Sequence, residues 1–261
     1  MKKLGDRLAR DARISEADYR LLERVADAYQ AELDRVEQAL RRVGFQATTR
    51  VKTTGTLVDK LRRDTTLKLN MIHDLAGARI VVDGGRLEQD RAVERIVEEF
   101  APYPKASVVK DRRQTPSFGY RAVHLIVFPE GTPVEIQVRT KLQDAWAQIV
   151  EKLGDRWGRG LRYGAGPDLP DEPADGFEDG VTRAEVVARV SRLADLIDVF
   201  EANVQEEAVV REELLTLDPA MRANPMERLA RVSEQLRGVR DMAEDMLATL
   251  LSRAETQGDA G

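Results

Sequence analysis

A chain of 261 residues allows one large domain, or a domain with a sizeable extension, and is long enough to bury a real core. It contains no cysteine, which excludes disulfides, zinc–thiolate sites and thiol chemistry, and no apolar run approaches the roughly 20 residues a membrane span needs. Its net charge of -5 argues against general nucleic-acid binding, but 33% of the residues are charged, so local sign matters more than the sum.

The opening Met1-Lys2-Lys3-Leu4-Gly5-Asp6 does not read as a signal peptide, and a soluble cytoplasmic protein is the expectation. Behind Ser15 as N-cap, residues Tyr19, Leu22, Ala26, Tyr29, Leu33, Val36 and Leu40 recur at three- and four-residue steps, predicting an amphipathic helix that ends at Gly44. A basic segment from Arg50 to Arg63 reads as a short strand or loop running into a helix. Ala78-Arg79-Ile80-Val81-Val82 is a buried-type strand stopped by Asp83-Gly84-Gly85. Helical spacing returns through Leu87, Val93, Ile96, Val97 and Phe100, and Ser107 to Lys110 reads as a further strand. After Thr140, residues Leu142, Trp146, Ile149, Val150 and Leu153 predict another helix. Gly, Pro and acids then crowd residues 158–181, read as a flexible acidic linker. Thr182-Arg183-Ala184-Glu185 resembles a capping box opening a long helix, and Asn224-Pro225-Met226-Glu227 reads as the start of the last one, with Pro at the first helical position. The organisation expected is therefore 1–157 as an α/β body with its N-terminal helix, 158–181 as linker and 182–256 as a helical extension.

One stretch carries more than fold. Gly119 to Phe128 and Pro133 to Thr140 are apolar, β-branched runs separated by a Gly- and Pro-bearing tract, the pattern of a β-hairpin. In the second run Val134, Ile136 and Val138 fall on one face, and Glu135, Gln137 and Arg139 on the other. A carboxylate, an amide and a guanidinium in a row are either a solvated face with a weak ion pair or the floor of a phosphate and metal site.

Three motifs bear on that choice. His73-Asp74-Leu75-Ala76-Gly77-Ala78-Arg79-Ile80 resembles the Asp-Ile-Ala-Gly-x-Arg signature of RelA/SpoT-type alarmone synthetase domains. Gly119-Tyr120-Arg121-Ala122-Val123-His124 resembles their Gly-Tyr-Arg-x-x-His loop, and Glu135-Ile136-Gln137-Val138-Arg139-Thr140 followed by Trp146-Ala147 resembles their Glu-Ile-Gln-x-Arg-Thr block. The three stand in the family's order and, with the basic segment, cover residues 50 to about 157. The resemblance implies an α+β fold, a mixed central sheet flanked by helices as in nucleotidyltransferases, here with a C-terminal helical extension. It also implies transfer of the β,γ-pyrophosphate of ATP to the 3′-hydroxyl of GDP or GTP, giving (p)ppGpp.

Such chemistry needs Mg²⁺, a hard cation that takes one or two carboxylates plus phosphate oxygens, and the resemblance makes Asp74 and Glu135 the pair. An N-cap or turn carboxylate is the bland alternative for Asp74. Glu135 serves as metal ligand or as the group that orients or deprotonates the attacking hydroxyl, and the residues leave both roles open. Phosphate charge calls for Lys52, Lys60 and Arg63 on the donor side, while Arg50 and Arg79 match the family's arginines that sandwich adenine, a task for planar guanidinium. A solvated basic helix is the competing reading, and Arg62 fits it. Tyr120 matches the tyrosine that stacks on guanine. By the same likeness Lys110, Arg112, Arg121, His124, Gln137, Arg139 and Asp144 are acceptor-side residues, with a satisfied core histidine as the rival reading of His124. A hydrolase of the His-Asp type is rejected, because only His73 and His124 are available to it.

The likeness departs on the acceptor side. Phe118 stands where the family often has Asn before Gly-Tyr, and no histidine follows Trp146-Ala147. Beside the (p)ppGpp synthetase reading stand a toxic branch of the family, which modifies the tRNA 3′ end or adenine nucleotides, and a binding module that has lost catalysis. The heptad-like series from Leu229 to Leu250 predicts burial against the body, a second copy or another partner.

Overall fold

The computed structural model describes residues 2–10, 14–63, 69, 72 and 74–255. The fold is α+β. Its elements are α1 (Lys2–Arg10), α2 (Glu16–Arg42), β1 (Thr48–Val51), α3 (Thr54–Arg63), β2 (Ala76–Val82), α4 (Arg86–Phe100), β3 (Val108–Asp111), β4 (Val123–Val127), β5 (Val134–Thr140), α5 (Lys141–Trp157), α6 (Arg183–Leu215) and α7 (Pro219–Glu255). The chain divides into two compact units, one of residues 1–80, 92–110 and 123–138, the other of residues 81–91, 111–122 and 139–261.

The first unit is built on a five-stranded sheet in the order β1-β2-β5-β4-β3. Its longest helix, α2, starts where Ser15 Oγ accepts the Asp18 amide and stops at Gly44, which takes φ +81°. There the Phe45 amide bonds back to the Leu40 carbonyl at 2.9 Å, closing the helix end as a left-handed glycine permits. The expected hairpin is present: β4 and β5 run antiparallel from Val123↔Val138 to Val127↔Val134. Val134, Ile136 and Val138 have no exposed surface, and each such residue removed from water stabilises the fold by about 1.5–3 kcal/mol. Period-two patterning therefore sends Glu135 and Gln137 to the opposite face, where both are half-buried.

The second unit is helical. Trp146, Ile149, Leu153 and Trp157 of α5 form its core with Val190, Ala194 and Ile197 of α6 and Leu247 of α7. Capping boxes at Thr140/Gln143 and Thr182/Glu185 start α5 and α6, the second as the sequence pattern predicts. Residues 158–181, expected to be flexible, are tied down. Asp168 donates its amide to Trp157 O at 2.6 Å, Ala174 donates to Val181 O at 2.8 Å, and Leu161 and Ala174 are buried in the core. Buried apolar side chains and paired amides outweigh the low apolar content of this stretch.

The start of the last helix needs correction. Helix α7 begins at Pro219, and Pro225 lies inside it. Asp218 supplies the start, with its side chain accepting the Ala220 amide and its carbonyl accepting those of Met221 and Arg222. The Asp-Pro pair at 218–219 thus pre-empts the Asn-Pro pair at 224–225. Of the heptad-like series, Val232, Val239, Met242 and Met246 are exposed, whereas the buried positions of α7 are Leu247 and Ala254. No helix among the described residues is long and apolar enough to cross a membrane.

Candidate functional site

The first unit gathers the residues expected on the donor side. In the β1–β2 ladder Arg50 stands opposite Gly77 and Thr48 opposite Arg79. Directly opposed residues share a face and residues two apart share it again, so Arg50 and Arg79 are diagonal neighbours with Gly77 between them. A side chain at Gly77 would meet nothing nearer than the Glu135 carbonyl at 3.8 Å, so the space between the two guanidinium stems is open on that side. Lys52 follows β1, its amide bonded to the Leu75 carbonyl at 2.8 Å, and its Nζ lies 2.5 Å from Asp74 Oδ2. That backbone bond holds the two short loops together, and the ion pair sits at their tips, half-buried.

On the same sheet face of the β4–β5 hairpin, His124 is opposite Gln137. Its Nδ1 lies 3.0 Å from Glu135 Oε1, and Gln137 Nε2 donates to Glu135 Oε2 at 3.0 Å. Burial pushes the Glu135 carboxyl up, but the hydrogen bond and charge of His124 and the bond from Gln137 outweigh it and hold the group below the ordinary carboxylate range. The Asp74 charge reaches Glu135 and pushes the other way. Two carboxylates that repel each other, one bonded to a lysine, are a donor set that suits a hard divalent cation shared with phosphate oxygens. Among the described residues there is no cluster of three or more His, Cys, Asp or Glu of the kind an all-protein metal cage requires.

Lys60 and Arg63 lie on α3, and their side chains fall outside the described structure, as does His73. Lys110 is exposed on β3.

The second unit holds part of the residues expected on the acceptor side. Ser117 and Tyr120 exchange backbone hydrogen bonds at 3.0 and 3.3 Å across a turn in which Phe118 has φ +52° and Gly119 φ +86°. Positive φ at both central positions defines a type I′ turn, where Asn is the preferred first residue and an aromatic one is strained. The family's Asn at this position therefore has a backbone reason, and Phe118 bears the conformational cost of replacing it. Tyr120 Oη accepts from Arg139 Nη2 at 3.0 Å, and Arg139 Nη1 is 2.9 Å from Asp144 Oδ1. Gln148 donates to the other Asp144 oxygen at 2.6 Å. Burial disfavours the Arg139 charge, but Tyr120 and Asp144 outweigh it, raising its pKa. Asp144 thus orients Arg139, which in turn holds the tyrosine hydroxyl.

Arg121 and Arg113 have other engagements. Arg121 is buried against α6, donating to Ala194 O at 3.1 Å. Arg113 is committed to Asp111 and Asp90, and Arg112 is half-buried with its amide bonded to Ala122 O. The structure also adds residues that local reading did not single out. Glu201 of α6 accepts hydrogen bonds from Thr140 and Gln143, and Asp198 pairs with Arg86 and Arg121. Their signal in sequence is weak, since acids on a long helix are ordinarily solvated.

Residues 49–154 match the family model described as "Region found in RelA / SpoT proteins". An uncharacterized protein of Mycobacterium tuberculosis, Rv1366, is 40% identical over 148 residues, 57% of this chain and 51% of the relative, so the chain spans about half the length of the curated relatives it matches. The small alarmone synthetase 1 of Bacillus subtilis superimposes with a TM-score of 0.54 at 21% identity, covering 75% of this chain and 98% of that one. The same Bacillus protein bound to its product pppGpp gives 0.53 at 21% identity, covering 76% and 100%. At that identity the superpositions establish the fold alone. Residues 49–154 of this chain match the region found in RelA / SpoT proteins, and the chain has the fold of the small alarmone synthetases.

Proposed function

We propose that the chain is an ATP:nucleotide 3′-pyrophosphotransferase that converts GDP or GTP to (p)ppGpp. The observation that carries this reading is the sheet face of the first unit, where Arg50, Arg79, His124, Glu135 and Gln137 stand together beside the Lys52–Asp74 pair. In this reading adenine lies between the Arg50 and Arg79 guanidinium groups, and Lys52 meets the triphosphate. Lys60 and Arg63 are proposed to add positive charge on the donor side. Asp74 and Glu135 are the residues that would hold Mg²⁺, which when bound neutralises phosphate charge during transfer.

The acceptor 3′-oxygen attacks the β-phosphorus of ATP. The bond from that phosphorus to the α,β-bridging oxygen breaks, AMP departs, and the hydroxyl proton is released. Glu135, held ionised by His124 and Gln137, accepts the hydrogen bond from that hydroxyl and aligns its lone pair. Tyr120, with its hydroxyl held by Arg139, provides the stacking surface for the acceptor base.

Incubation with β,γ-labelled ATP and Mg²⁺ in the presence of GDP, GTP, AMP or bulk tRNA tests the proposal. Label in GDP or GTP supports it, label in tRNA or AMP replaces it with the toxic-branch activity, and label in none of them makes the chain a binding module. Self-association through α7 belongs to the same reading and is supported by its exposed Val232, Val239, Met242 and Met246. Sedimentation velocity reads it directly.

A further inference from the structure

The Gly119-Tyr120 turn is held from α6, and a single guanidinium makes the connection. Arg121 Nη1 donates both to Gly119 O at 3.2 Å, inside the turn, and to Ala194 O at 3.1 Å, on α6. Arg121 Nε lies 2.9 Å from Asp198 Oδ1, and Nη2 donates to Asp195 Oδ1 at 3.3 Å. The Arg121 side chain is 9% exposed, Asp198 is 33% exposed and Asp195 is 79% exposed, so Asp198 is the acid that compensates the enclosed charge. Arg86 also pairs with Asp198, and its Nε lies 3.6 Å from Glu201, which ties α4 to the same place.

The turn itself is seated on α6. A Cβ at Gly119 would lie 2.9 Å from Ala194 Cβ and 3.0 Å from Trp146 Cζ2, closer than real side chains approach, and φ +86° already favours glycine there. Trp146 is locked in turn, its Nε1 donating to Val190 O at 2.7 Å. A turn carrying an aromatic residue at φ +52° stores strain and needs external contacts to keep that form. Arg121, Ala194 and Trp146 are those contacts.

We propose that Asp198 is a positioning residue for the acceptor nucleotide: through Arg121 it fixes the turn that presents Tyr120, making α6 part of the acceptor half-site. The inference rests on Tyr120 being the acceptor's stacking surface, as proposed above. Arg121 then does not meet the acceptor's phosphates. It is a strut between a helix and a loop, and the charge on Asp198 decides how firmly Tyr120 is held. Misplacing a binding surface by a fraction of an ångström lowers productive binding without altering groups that act on the donor.

The test uses the full chain with Asp198→Ala, Asp198→Asn and Asp198→Glu. Hydrogen–deuterium exchange reads the turn, and steady-state transfer reads its role. In Asp198→Ala the amides of residues 117–122 exchange faster while those of the β4–β5 hairpin do not change. The KM for the acceptor rises about tenfold with kcat and the KM for ATP within about twofold, a size in keeping with lost orientation. Asp198→Asn, which keeps the shape and loses the charge, falls between, and Asp198→Glu restores most of the acceptor KM. Unchanged exchange in 117–122 for both Ala and Asn overturns the proposal, as does a rise in ATP KM or a fall in kcat matching the acceptor effect. If the unmodified chain labels no acceptor, the pyrophosphotransferase reading fails, and acceptor positioning fails with it. Exchange in the turn then decides only whether Asp198 acts as a strut.

Discussion

His124 reaches diagonally across the β4–β5 ladder to Glu135, its Nδ1 3.0 Å from Oε1, instead of to Gln137, the residue directly opposite it. Diagonal pairs on one face of an antiparallel ladder lie within reach of long or aromatic side chains, and here the contact sets a carboxylate's charge state.

Burial alone would raise the Glu135 pKa, and the His124 and Gln137 bonds bring it below the ordinary value. A carboxyl lowered in the folded state contributes stability above its unfolded pKa, and that stability is lost as pH falls through the folded value. In His124→Ala burial and the Asp74 charge are opposed only by Gln137. The Glu135 titration, followed by ¹³C NMR of labelled glutamate, moves to higher pH, and the acid side of the urea stability curve moves with it. An unmoved titration refutes the coupling.

Asp74→Asn and Glu135→Gln keep side-chain shape and remove charge. Each lowers transfer by at least about 10²–10³-fold, the scale of removing one electrostatic contact to developing charge. Circular dichroism and the urea midpoint stay near those of the parent, because both groups are half-buried and retain hydrogen-bonding partners in the amide form. Near-parental transfer by both variants is the outcome this account does not survive.

Arg139 is 4% exposed and bridges Tyr120 and Asp144. Arg139→Ala removes the cation paired with the buried Asp144 carboxylate and destabilises by about 3–5 kcal/mol. Arg139→Lys does not rescue it fully, because one ammonium cannot reproduce the fork that meets both partners. Tyr120→Ala, by contrast, weakens acceptor use more than ATP binding. Urea unfolding of the arginine variants and separate titration of donor and acceptor check the contrast.

Pro225 is the seventh residue of α7, inside the helix, where its ring denies the helix a backbone bond. Pro225→Ala stabilises the protein by about 1–3 kcal/mol, the span between a bent and a regular helix interior. A urea midpoint that rises in Ala, and rises less in Pro225→Gly, is the expected order.

Local rules made much of the first unit legible. The alternation of β5 places Glu135 and Gln137 away from Val134, Ile136 and Val138, because side-chain period is a property of the strand itself. Ser15 and Gly44 bound α2 because capping is decided within a few residues. The three motifs led to the RelA/SpoT-type domain for the same reason, being contiguous in the chain.

Tertiary structure alone decided which partners the buried charges meet. Arg121 reads as one more cation of the acceptor loop, yet its partners Ala194 and Asp198 lie more than seventy positions further on, and no spacing rule announces them. Asp144 reads as an acceptor contact, and the fold pairs it with Arg139 and Gln148. Residues 158–181 read as a linker by composition, while packing Leu161 and Ala174 into a core whose other walls come from α5, α6 and α7. Composition and periodicity report the preferences of a segment in water, whereas a buried guanidinium or carboxylate answers to whichever opposite charge the fold brings alongside it.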